Sequence, residues 1–152
     1  MLKIIESEPN APFSKLLIDE LSETLKLITG SDGRGTFLNW EPNTRAIFII
    51  AMEGKEPVGC GALRPINLEI AEVKRMYVKY QGKGIGKEIL SYLEKYARTC
   101  GYKKIWLETR VINQNACNFY LKNDYVKINN YGQYNGRDEC ACFEKVLMNK
   151  KV

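Results

Sequence analysis

The chain has 152 residues, room for one ordinary domain and little for a second, and its 45% apolar and 11% aromatic content suits a packed core and excludes a disordered chain. The net charge of +5 is spread along the chain rather than gathered into a tail, which fits a soluble surface and equally the attraction of a polyanionic ligand. Histidine is absent, which removes Ser-His-Asp and Cys-His nucleophilic schemes and most zinc sites, so acid–base work must fall to Asp, Glu, Tyr, Cys, Lys or water.

The opening MLKIIESEPN has no basic segment followed by a long apolar run, so no signal peptide is expected, and no apolar stretch is long enough for a bilayer. LKIIE (2–6) reads as a short strand. From Pro12, the apolar residues Phe13, Leu17, Leu21 and Leu25 recur at helical spacing until Gly30 ends the helix. GSDGRGTFLNWEPN (30–43) reads as a long loop. RAIFIIAM (45–52) is a buried strand that turns at Glu53–Glu56 into a second strand, where the two glycines of VGCGAL suggest a close backbone approach.

IAEVKRMYVK (70–79) alternates, which in an ideal strand places Ile70, Glu72, Lys74, Met76 and Val78 on one face; a bulge would shift that phase. QGKGIG (81–86) leads into an amphipathic helix with Ile85, Ile89, Leu93 and Ala97 inward, stopped at Gly101. YKKIWLETR (102–110) is a strand, 114–123 a short helix, and YVKIN and CACFEKVL a closing pair of strands around NYGQYNGRDE. Cys140 and Cys142 share a strand face and are expected to pack; with no export signal, all five thiols are read as reduced in a cytoplasm. The result is an α/β fold, a single domain over residues 1–152 with a mixed, mostly antiparallel twisted sheet flanked by helices.

The central chemical feature is Gln81-Gly82-Lys83-Gly84-Ile85-Gly86, between a strand and a helix N-terminus. Glycines let backbone N–H groups approach a ligand, and the helix start adds unpaired donors and partial positive charge. Together they suit a pyrophosphate, with Lys83 and Lys87 as reinforcement. The spacing is neither the dinucleotide G-x-G-x-x-G nor the Walker pattern. Glycines that merely tighten a turn would look the same in isolation.

The segment 72–125 resembles the GNAT superfamily of N-acetyltransferases. Gln81, Gly84 and Gly86 match its Gln/Arg-x-x-Gly-x-Gly/Ala signature, and Asn113, Ala116, Tyr120 and Tyr125 match its second half. Asp124 stands where the family often has Gly, and aspartate tolerates the left-handed backbone such a turn needs. The resemblance implies acetyl-CoA as co-substrate, a cofactor site over Gln81–Lys87, and backbone pairing of Met76 and Val78 with the pantetheine arm. The N–H of Met76 would then donate to the thioester oxygen. It implies Tyr120 as the acid for the departing thiolate, where the alternative is packing beside Phe119. It also places Asn113 near the cofactor, a role compatible with capping a helix.

An alkyl ammonium must lose a proton before it attacks, and without histidine a carboxylate is the natural base. Glu72 matches the family position where a glutamate is the base in some members; pairing with Lys74 or Arg75 is its structural alternative. Glu108, on the neighbouring strand, is the reserve. Arg34, Arg64 and Arg75 are candidates for acceptor binding, which would suit an amine carrying a carboxylate or phosphate. The expected activity is N-acetylation of a small primary amine such as an amino acid. The alternatives are a protein N-terminus or lysine as acceptor, or an acyl-CoA sensor without chemistry. No metal, nucleic acid or membrane partner is expected; a homodimer stays open.

Overall fold

The computed structural model describes residues 1–34 and 45–147, so residues 35–43 of the expected loop lie outside the described residues. Its strands are β1 (Leu2–Ser7), β2 (Ile47–Glu53), β3 (Glu56–Pro65), β4 (Ile70–Val78), β5 (Lys104–Arg110), β6 (Val126–Ile128) and β7 (Cys140–Val146). The helices are α1 (Pro12–Thr29), α2 (Ile85–Thr99) and α3 (Gln114–Lys122), with a 3-10 turn at Gly132–Tyr134. The expected order of elements holds throughout. Among the described residues, no helix is long and apolar enough to cross a membrane.

The seven strands form one sheet in the order β1-β2-β3-β4-β5-β7-β6. Every neighbouring pair is antiparallel except β4–β5. That parallel pair is short: it joins only Ile70 to Lys104, Ala71 to Ile105 and Glu72 to Trp106. β4 nevertheless continues to Val78 and β5 to Arg110, so beyond Glu72 the two strands part and leave a wedge.

A bulge in β4 accompanies the parting. Cys60 of β3 faces Tyr77 and Ala62 faces Lys74, so two β4 residues, Arg75 and Met76, oppose the single Gly61. Arg75 takes φ 53°, a left-handed backbone that costs roughly 1–2 kcal/mol for a residue with a Cβ. Its guanidinium anchors the distortion, donating to Ser22 Oγ at 3.0 Å and to the Asp32 carbonyl at 3.3 Å. The Cys60 thiol donates to the Arg75 carbonyl at 3.3 Å. Burial pushes that thiol up to about 12, so it keeps the proton it donates.

The bulge corrects the one-face expectation for β4. Ala71 and Val73 enter the larger core, and beyond the bulge Met76 and Val78 pack against that same core. Glu72 and Lys74 take the other face, where Tyr131 and Tyr134 meet them. The larger core lies under α2 and α3, with Ile85, Ile89, Leu93 and Ala97 inward as expected. A second core packs Leu17 and Ile18 of α1 against Phe48, Ile50, Cys60 and Ala62. Cys140 and Cys142 are buried beside Tyr134, as their spacing suggested, and none of the five cysteines is in a disulfide. Asp124 adopts φ 72°, the left-handed turn expected of it.

The glycines of VGCGAL do mark a close approach, and the approaching element is α2. A Cβ on Gly59 would lie 2.8 Å from the Tyr77 carbonyl oxygen and 2.8 Å from Ile89 Cδ1. The carbonyl belongs to the strand ladder and cannot swing aside. Gly59→Ala should therefore cost about 1–3 kcal/mol by overpacking, a drop of roughly 2–12 °C in the melting temperature. A thermal melt checks this; an unchanged midpoint would show that helix and sheet can part without cost.

Candidate active site

The wedge between β4 and β5 opens into a cavity of about 140 Å³. Val73, Lys74, Arg75 and Met76 line it from β4, and Glu108, Thr109 and Arg110 from β5. On the α2–α3 side the wall is Asn113, Ala116 and Tyr120; on the α1 side it includes Leu21, Leu25 and Tyr134. The cavity is thus reached from both faces of the sheet at the place where the strands have separated. The backbone of β4 from Val73 onward has no strand partner on the side facing this cavity. An extended ligand arm can take that edge as an added strand does.

The turn before α2 fits a polyphosphate. Gln81, Gly82, Lys83 and Gly84 are all exposed. Gly82 (φ 78°) and Gly84 (φ 75°) are left-handed, and no protein atom lies within 4 Å of where either Cβ would stand. The glycines therefore serve the path of the backbone and leave open space beside it. Gly84 caps α2 without a side-chain hydrogen bond, and the first α2 donor bonded back to the cap is Glu88 N, to the Gly84 carbonyl. The N–H groups of the first helical turn, Ile85, Gly86 and Lys87, remain for an anion. Gly86 has a separate reason: a Cβ there would meet the Phe119 ring at 3.2 Å, so it seats α3 against α2.

The candidate residues separate into those that meet at the cavity and those that do not. Tyr120 lines it; its ring packs edge-on to Phe119 and Tyr125, and burial pushes its phenol up, so it is protonated at neutral pH. Packing and a place at the cavity coexist in this residue. Asn113 also lines it and caps α3, its side chain accepting from Ala116 N at 3.3 Å. Met76 lines it at the bulge, whereas Val78 packs farther along the same face.

Glu72 is buried but outside the cavity lining, and both its oxygens are taken. Oε1 accepts from Arg64 Nε at 3.2 Å and Oε2 from the Tyr131 hydroxyl at 2.6 Å. The partner is Arg64, not the expected Lys74 or Arg75. Glu108 is the carboxylate that lines the cavity. Its side chain is only 9% exposed, its Oε2 accepts no hydrogen bond, and the nearest cation to that oxygen is Arg110 Nε at 3.9 Å. Burial pushes its carboxyl above the ordinary glutamate range, against the smaller opposing pulls of Cys140, Lys74, Arg110 and Arg137.

Of the three arginines expected to bind the acceptor, Arg75 alone lines the cavity. Arg64 is committed to Glu72, and Arg34 reaches Asp19 at 2.6 Å on the outer surface of α1. Lys74, Arg110 and Tyr134 line the cavity instead, and sequence reasoning had not picked them out. Tyr134 is 1% exposed although it sits in a turn-rich segment. The only advance signal was the pair of tyrosines three apart, Tyr131 and Tyr134, in an otherwise polar stretch.

A splayed parallel pair, a bulged strand beside it and a glycine turn at a helix start together form a cleft suited to an extended ligand that carries phosphate. Comparison with known proteins agrees. The sequence profile of the Acetyltransferase (GNAT) family matches residues 13–125. An IAA acetyltransferase of Azospirillum brasilense is 35% identical over 105 residues, 66% of this chain and 67% of that one. Among solved structures, a Klebsiella pneumoniae protein assigned to the acyl-CoA N-acyltransferases superposes with a TM-score of 0.85 at 24% identity, covering 97% of this chain and 99% of its own. A GNAT family acetyltransferase of Elizabethkingia anophelis with acetyl-CoA bound gives a TM-score of 0.69 at 21% identity, covering 96% and 98%. The chain belongs to the acetyltransferase (GNAT) family and is an enzyme of the N-acetyltransferase class.

Proposed function

We propose that the chain acetylates a small primary amine by direct attack on acetyl-CoA, with Glu108 as the base. The observation that carries this is the buried Glu108 Oε2, without a hydrogen bond, at a cavity that Met76 and Tyr120 share. A carboxylate held largely out of water, with one oxygen that accepts no hydrogen bond and a raised pKa, is suited to taking a proton from an ammonium. Glu72, committed to Arg64 and Tyr131, holds the β4 end of the wedge in place.

In this reading the pyrophosphate lies on the first turn of α2, flanked by Gln81, Lys83 and Lys87. The pantetheine arm runs along the free edge of β4 past Val78, and Asn113 lines its path from the α3 side. The amine gives its proton to Glu108, directly or through water, and its lone pair attacks the thioester carbonyl. The oxygen gains charge beside the Met76 N–H. The C–N bond forms, the C–S bond breaks, the electron pair leaves on sulfur, and the Tyr120 hydroxyl protonates the thiolate while the nitrogen gives its second proton to the Tyr120 oxygen, directly or through water. The acetyl-CoA complex of the Elizabethkingia anophelis relative supports the choice of donor. The cavity volume of about 140 Å³ favours a small acceptor over a folded protein surface.

Release of free CoA thiol tests the reading, with amino acids, polyamines, aminoglycosides and peptides supplied in turn. Acetyl-CoA alone should raise the melting temperature with concentration, and small amines should support turnover. Turnover confined to peptides or protein lysines would overturn the small-amine reading. Thermal stabilisation without turnover on any amine would make the chain an acyl-CoA sensor.

A further inference from the structure

We propose that the acceptor is an aminocarboxylate, its amine held at Glu108 and its carboxylate at Lys74. This rests on the acetyl-transfer reading above and adds the part of the acceptor that does not react. Two oppositely charged side chains line one cavity, the buried Lys74 from β4 and the largely covered Glu108 from β5. They do not pair with each other: Lys74 Nζ donates to the Tyr134 hydroxyl at 2.7 Å, and Glu108 Oε2 has no hydrogen bond. A zwitterion placed between them would complete both at once.

The case for an anion at Lys74 is one of charge. Its side chain is 7% exposed, and its hydrogen bond goes to a neutral hydroxyl whose ring centroid lies 5.4 Å from the ammonium. Glu72 is the carboxylate on the same strand face, but Arg64 and Tyr131 already occupy it. A buried ammonium that hydrogen-bonds no carboxylate is costly, and two of its three N–H groups are left for a ligand. Burial holds the Lys74 pKa below the ordinary lysine value, with Glu72 and Glu108 raising it and Arg64 and Arg75 lowering it. An arriving carboxylate would reverse that shift, so ligand and charge would stabilise each other. Arg75 and Arg110, on either side, strengthen the preference for an anion and oppose polycations.

The test compares short L-amino acids with their matching amino alcohols, which keep a basic amine and lose only the carboxylate. Two readouts are taken: kcat/KM by thiol release, and Kd by calorimetry with CoA bound. Wild type should favour the aminocarboxylate by roughly 10–100-fold, the worth of a hydrogen-bonded charge contact. In Lys74→Met, which keeps the length and apolar stem of the side chain, that ratio should fall toward one. A wild type with no preference overturns the proposal, whether or not the variant folds. So does a preference that survives in Lys74→Met, or an acetyl group found on Lys74 itself by peptide mass analysis. A Kd preference without turnover would uphold the aminocarboxylate site and remove the acetyl-transfer reading instead.

Discussion

Glu108→Gln should lower turnover by roughly 10²–10⁴, the usual worth of a positioned general base, with the KM for acetyl-CoA little changed. The amide keeps the shape of the side chain and removes its basicity. The loss should shrink as pH rises, because a growing share of the acceptor amine is already neutral. The same substitution should also stabilise the protein, which separates a functional role from a structural one. A buried acid whose folded pKa is raised above its unfolded value favours the native state least when ionised. Its stability cost is absent below the ordinary value of 4.5 and sets in as pH rises from there through the raised folded pKa. The glutamine variant should therefore melt higher than wild type at neutral pH, and the gap should close in acid. Full activity at neutral pH would remove Glu108 as the base, and a lower melting point would mean that its carboxylate is held by interactions that glutamine cannot replace.

Gly84→Asp should raise the KM for acetyl-CoA sharply while the fold persists. Nothing lies within 4 Å of the new Cβ, and aspartate accepts a left-handed backbone elsewhere in this chain, at Asp124 with φ 72°. The new carboxylate would stand at the start of α2, where the pyrophosphate is proposed to bind. Repulsion at about 4 Å is worth roughly 1–4 kcal/mol between effective dielectrics of 80 and 20, or about 5–10³-fold in affinity. Added salt should reduce the defect, since the turn is exposed and its charges are screened. Steady-state kinetics at two ionic strengths check both parts. An unaltered KM would place the phosphates elsewhere.

Much of this enzyme was legible in its sequence because the relevant signals are local. Helical spacing from Phe13 to Leu25, the stop at Gly30, the turn at Gly54–Lys55 and the glycine turn before Ile85 are each written within a few neighbouring residues. The absence of histidine left acid–base work to Asp, Glu, Tyr, Cys, Lys or water, with a carboxylate the natural base for an ammonium. The run Gln81–Gly86 pointed to an anionic ligand, since its backbone donors and open glycines stand together in the sequence.

What only the tertiary structure decided was which side chains meet. The apolar positions of β4 change phase at Lys74–Arg75, from Ala71 and Val73 to Met76 and Val78, but no glycine or proline marks the bulge, so its geometry is not written there. The register with β3 and the anchoring of Arg75 on α1 impose it, and both are contacts between residues far apart in the chain. With that shift come the separation of Met76 from Glu72 and, already beyond Glu72, the end of the β4–β5 pairing where the cavity opens. The choice between Glu72 and Glu108 was likewise out of reach. Both are strand glutamates, and only the placement of Arg64 and Tyr131 occupies one while the other keeps an oxygen that accepts no hydrogen bond. The partnering of Lys74 by Tyr134 joins residues sixty positions apart. Charge compensation of this kind is a property of the folded interior, where the cost of burial depends on every neighbour, so no local pattern in the chain can announce it.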